Sequence, residues 1–196
     1  MTAMSARGPY AKGLVKREEI LDAALDLFAR RGYDRTSVRE IARHTGLSQA
    51  GLLHHFSTKE ELFLEVLRRR DERSTSPGDQ EHTHSVDQLI RAVDRNADEP
   101  GLVRLFVAMS AESADDGSEA RGFFAERYHW LLEEIAEDVR AHQESGDLSP
   151  TLDPDSVASL LVAAADGLQI QWLLDPESVD MPARIRSLWA ALQAMA

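Results

Sequence analysis

The sequence contains no cysteine, which excludes a disulfide framework, a thiolate metal site and a cysteine nucleophile together. It also lacks a glycine-rich phosphate loop, a nucleophile elbow and any paired-carboxylate constellation. The expectation is therefore a protein that is not an enzyme and needs no cofactor. His82 and His84 lie in a polar stretch, and two histidines fall short of the three or four converging ligands that a metal requires. The longest unbroken apolar run, Leu160 to Ala165, is far shorter than a membrane span. The first residues, MTAMSARGPYAKG, carry no apolar signal-peptide core, so a cytoplasmic protein without membrane contact is expected.

What the chain does have is length for one sizeable core or two small ones, with 43% hydrophobic residues among 196. Its net charge of −12 is unevenly placed. Residues 1–73 hold 14 basic and 11 acidic side chains, a balance of +3, which leaves −15 for the remainder. An acidic body behind a mildly basic head favours approach to a polyanion head first.

Apolar residues recur at helical spacing along almost the whole chain. Residues 1–13, with Gly8, Pro9 and Gly13, read as a flexible arm. A first helix is expected over 16–31, its stripe of Ile20, Leu21, Ala24, Leu25, Leu27 and Phe28 covered by Val38, Ile41, Leu52 and Phe56, with Tyr33 under the following loop. Thr58 and Glu61 form a capping box that opens a connecting helix over 58–73. Residues 74–85, STSPGDQEHTHS, read as a linker. Helices over 86–97, 100–114, 118–144, 154–174 and 182–195 then build a body spanning 86–196. The stretch 100–114 is apolar nearly all round and should lie at its centre.

Within residues 14–57, the segment TSVREIARHTGLSQAGLLHHF reads as two short helices joined by a sharp turn. Ala42 lets the helices cross closely, Gly46 supplies a left-handed helix end, and Ser48 caps the second helix, worth about 1 kcal/mol. Leu52 and Phe56, one turn apart, bury one side. Gln49, Ala50, His54 and His55 are left facing outward. This geometry fits a helix-turn-helix whose second helix enters the major groove of double-stranded DNA.

Thr36, VREIARHTGLS, LLHHF and STKEEL, at this spacing between Lys16 and Val66, resemble the DNA-binding domain of the tetracycline-repressor (TetR) family. Two positions depart from it. Leu53 stands where the family often has an aromatic, and Gly51 where it often has a hydroxyl residue; Leu53 is left either to a thymine methyl or to the core. The resemblance implies an all-α protein, a helix-turn-helix head followed by a ligand-binding and dimerisation body. It further implies a repressor that binds a palindromic operator as a homodimer and is released by a small-molecule effector. The alternative is a helical interaction module without sequence-specific DNA binding.

On this reading Thr36, Lys59 and His55 meet phosphates, while Gln49, Ala50, Gly51 and His54, behind the capping Ser48, meet base edges. The last two helices carry more apolar residues than one buried face needs. Leu161, Ala164, Leu168, Ile185, Leu188, Trp189 and Leu192 are assigned to a four-helix dimer seam. Phe106, Met109, Phe123, Tyr128, Gln169 and Trp172 are assigned to the effector pocket, with Glu112, His129 or Asp166 as polar anchors.

Overall fold

A computed structural model describes residues 9–31, 35–74, 85–118 and 120–195. Among them are nine α-helices and no strand: α1 (Pro9–Arg31), α2 (Val38–His44), α3 (Gln49–Leu53), α4 (Lys59–Ser74), α5 (Ser85–Asp98), α6 (Pro100–Glu112), α7 (Ala120–Ser145), α8 (Pro154–Leu174) and α9 (Met181–Gln193). Helix α1 starts at Pro9, so the second half of the expected arm is helical. Proline suits a first helical turn, and Gly13 is tolerated where nothing approaches its α-carbon. Tyr33, His82 and His84 lie outside the described residues.

The helix ends follow local chemistry. Pro100, Pro154 and Pro182 occupy first turns. Asp153 and Asp180 accept the backbone N–H of Ser156 (3.0 Å) and Ala183 (2.9 Å), capping α8 and α9. Gly146, at φ 87°, closes α7 in the left-handed conformation that glycine alone adopts cheaply.

Two apolar clusters hold these helices together. The first joins α1, α2, α3 and α4 to Leu102, Leu105, Phe106 and Met109 of α6 and to Phe123 and Phe124 of α7. The second joins α5, the far half of α7, α8 and α9, with Val103 of α6 inserted into it. Both clusters draw on α6 and α7. The stripe of α1 is accordingly covered by α4 and α6 as well as by the reader pair, more cover than expected from its sequence neighbours. That cover was hidden because α6 lies about seventy residues further along the chain, where periodicity says nothing about pairing.

By length and composition α8 is the one helix among the described residues apolar enough to cross a membrane, with mean hydropathy 1.5. Counting unbroken apolar runs overlooked it, because Asp166 and Gln169 interrupt the run without greatly lowering the mean. Val157, Leu161, Val162, Ala165, Leu168 and Trp172 of this helix are buried in the second cluster.

Candidate DNA-reading head and ligand cavity

The turn between α2 and α3 is built as its residues dictate. Gly46 takes φ 67°, and Leu47 donates its N–H to the carbonyl of Ala42 at 2.8 Å. Ser48 Oγ accepts the N–H of Gly51 at 3.0 Å. A side chain at position 51 would place its Cβ 3.2 Å from that same Oγ, so glycine leaves room for the cap.

Leu52 and Phe56 are fully buried behind α3, while Gln49, Ala50 and His54 are exposed and Gly51, Leu53 and His55 are half-buried. Leu53 packs against the first cluster. Lys59 is exposed, its ammonium 5.0 Å from the ring centroid of Phe63.

Thr36 differs from expectation. It is buried at 2% exposure, and the cap of α2 falls instead to the exposed Ser37, whose Oγ accepts the N–H of Glu40 at 3.2 Å. Sequence reasoning also passed over Arg39 and Arg43. Both are exposed on α2, four residues apart; Arg39 lines both clefts around Gln49 and Arg43 one of them. The signal was present: Val38, Ile41 and Ala42 take the inward face, which leaves 39 and 43 outward.

Helix α1 holds the reader from behind. Lys16 donates to the carbonyl of Thr45 at the end of α2 (2.7 Å), and Arg17 to the carbonyl of His55 just past α3 (2.6 Å). The Arg17 guanidinium also lies 4.0 Å from the Phe56 ring centroid and 3.2 Å from Glu65 of α4. At the start of α4, Thr58 Oγ1 accepts the N–H of Glu61 (2.9 Å), while Glu61 accepts that of Ser57 (2.6 Å).

The far end of α4 reaches a cavity of about 90 Å³ between α4, α5, α6, α7 and α8. Phe106, Gln169 and Asp166 line it. Tyr128 donates to Asp166 Oδ2 at 2.7 Å. Met109 and Phe123 are buried in the first cluster and Trp172 in the second, away from this cavity.

Arg70, Asp71, Asn96 and Arg127, which sequence reasoning did not single out, supply the polar wall. Arg127 Nε donates to Asp71 Oδ2 at 2.8 Å, linking α7 to α4, and Arg70 is bonded to Asn96 of α5. Burial lowers the Arg70 pKa. For Arg127 burial is again the largest influence and acts the same way, but the Asp71 charge and hydrogen bond, joined by the Asp166 and Tyr128 charges, together outweigh it and the net shift is upward. Burial raises Asp166 above the usual carboxylate range, opposed by the Tyr128 hydrogen bond and the Arg127 charge. Burial, then the Asp166 charge, raises Tyr128.

On the last two helices, Leu161, Leu168, Ile185 and Trp189 are turned into the second cluster, whereas Ala164, Leu188 and Leu192 are partly buried against it. The solvent-facing stripe of α8 is a different set: Leu160 (65% exposed), Ala163, Ile170 (50%) and Leu174 (83%). A helix this apolar has two apolar faces, and composition alone does not tell which one the chain itself covers.

A helix-turn-helix head joined by α4 to a helical body that holds a cavity is the architecture of a one-component transcriptional regulator. Residues 20–66 match the family described as bacterial regulatory proteins, tetR family, and residues 84–195 match the BetI-type transcriptional repressor C-terminal domain. The chain belongs to the TetR family of ligand-responsive, DNA-binding transcriptional regulators.

It is 28% identical over 182 residues to the HTH-type transcriptional regulator UidR of Escherichia coli (strain K12), covering 91% of this chain and 90% of that one. The fold is similar to that of a regulator from Saccharomonospora viridis crystallised with choline, at TM-score 0.71 and 26% identity over 89% of this chain and 95% of that one. It also resembles a TetR-family regulator from Rhodococcus sp., at TM-score 0.73 and 22% identity over 91% and 99% of the two chains.

Proposed function

We propose that the chain is a cytoplasmic repressor that binds a pseudo-palindromic operator as a homodimer and is released when a small molecule occupies the cavity at the end of α4. The observation that carries the DNA-reading part is the placement of Gln49, Ala50 and His54 on the solvent side of α3 with Leu52 and Phe56 locked behind it. Gln49 suits bidentate pairing with adenine, and Ala50 with Gly51 permits close backbone approach. Ser37, Arg39, Arg43, His55 and Lys59 surround this tip and suit phosphate contacts, which fix register without carrying sequence information.

Dimerisation is supported by the exposed stripe Leu160, Ala163, Ile170 and Leu174. Its one small member, Ala163, allows close helix approach, and a twofold copy would bury the stripe against itself. Two heads then present two α3 tips to successive turns of the duplex.

The cavity is the proposed effector site because α4 connects it to the head. An occupant that disturbs Arg127 against Asp71, or Arg70 against Asn96, acts on the helix whose other end holds Lys59 beside the reader. A few kcal/mol of preference for one α4 position is enough to shift the population of DNA-competent dimers. The test is an electrophoretic mobility shift with the DNA upstream of the protein's own coding region. The expected result is one salt-sensitive complex of two chains per operator, displaced by competitor operator but not by random duplex. Equal displacement by both would refute sequence-specific reading.

A further inference from the structure

The cavity walls leave one buried acceptor unanswered. We infer that the effector is a small uncharged molecule with an apolar body and one hydrogen-bond donor, a hydroxyl or N–H, received by Gln169 Oε1; this rests on the reading of the cavity as the effector site.

Gln169 is 4% exposed, lines the cavity, and its Oε1 has no hydrogen-bond partner among the described residues. Its Nε2 donates to Asp166 Oδ1 at 3.3 Å. That bond fixes which way round the amide lies, since the flipped form would set oxygen against carboxylate oxygen. The second Asp166 oxygen takes the Tyr128 hydroxyl. The Asp166–Tyr128–Gln169 group is thus closed on itself except at Oε1, and Oε1 can only accept.

Charge argues against an ionic effector. Arg70, Arg95 and Arg127 face Asp71, Glu134 and Asp166 around the cavity, three of each sign, and Arg127 is already joined to Asp71. An ion entering would lose its hydration and meet no net opposite charge. A neutral donor carries no such penalty. The cavity, about 90 Å³ and flanked by Phe106 and Leu131, admits a short chain with one terminal polar group.

The test is an NMR titration of the full-length protein with four probes: 1-butanol, its isomer methyl propyl ether, butylammonium and butyrate. The Gln169 side-chain amide and the Phe106 ring report on the cavity. The alcohol and the ether share a formula and differ in the donor, so butanol is expected to bind about tenfold more tightly, the worth of one hydrogen bond to a buried acceptor. Gln169→Leu should erase that gap and leave the ether within about twofold.

Equal binding of alcohol and ether in the unaltered protein, or tightest binding by either ion, overturns the inference while leaving the cavity as effector site. If no probe perturbs the cavity resonances, the effector-site reading falls as well. The alcohol–ether comparison needs no variant, so it decides the matter even if Gln169→Leu does not fold.

Discussion

Gln49 and Lys59 line one cleft yet should fail differently. Gln49→Ala is expected to lose about 1–3 kcal/mol of discrimination at one base pair per half-site, while Lys59→Ala should weaken operator and random DNA alike and flatten the salt dependence by about one ion. Fluorescence anisotropy across a salt series separates the two, and indistinguishable behaviour would contradict the division into reading and positioning residues. A second residue-scale prediction concerns Asp166. Its folded-state pKa is raised, so its contribution to stability is fully present below the ordinary carboxylate range and is lost as pH climbs through the raised value. Asp166→Asn lacks that loss. The difference in urea midpoint, variant minus parent, should therefore grow in the variant's favour as pH rises through this window. The outward placement of Gln49, Ala50 and His54 was legible in the sequence because everything that sets it is local: a glycine, a cap and two apolar residues one turn apart. Arg70, Asp71 and Arg127 were not, because each reads alone as a charge on a solvated helix face, and only the convergence of α4, α5 and α7 makes them a wall.

At the scale of elements, α1 is the clamp on the reader. Arg17→Ala removes the bond to the His55 carbonyl, the contact with the Phe56 ring and the ion pair with Glu65 together. A loss of about 1.5–3 kcal/mol in unfolding free energy is expected, with earlier hydrogen exchange across α3; an unchanged denaturation midpoint would show that the clamp is dispensable. Helix α8 carries the second element-scale prediction. Ile170→Glu places a charge in the outward stripe without touching the second cluster; on the proposed dimer, sedimentation is expected to give two chains for the parent and one for the variant, with the melting temperature of the monomer fold retained. Leu161→Ala opens a hole inside the chain instead and should cost about 2–5 kcal/mol. The existence of α8 and its start at Pro154 could be read from the sequence. The choice of face could not, because both faces are apolar and only the positions of α7 and α9 decide between them.

For the whole molecule, the charge split and the shared helices bear on different properties. The excess of acidic groups beyond residue 73 opposes approach to DNA from the body side, so the rate of operator association should fall less steeply with salt than that of a variant with body carboxylates neutralised, whose attraction to the phosphates is no longer offset. Stopped-flow anisotropy would show it. An all-α architecture was legible from periodicity alone, but the division into head and body was less complete than the chain order suggests: α6 gives Leu102, Leu105, Phe106 and Met109 to one cluster and Val103 to the other. That sharing limits how the protein can be cut or recombined. A fragment ending at Ser74 would strip the α6 cover from α1 and α4 and should aggregate rather than behave as a miniature operator binder. A chimaera that grafts a relative's reading head onto this body would have to bring the matching α6 surface with it, or inherit a mismatched seam where the original had none.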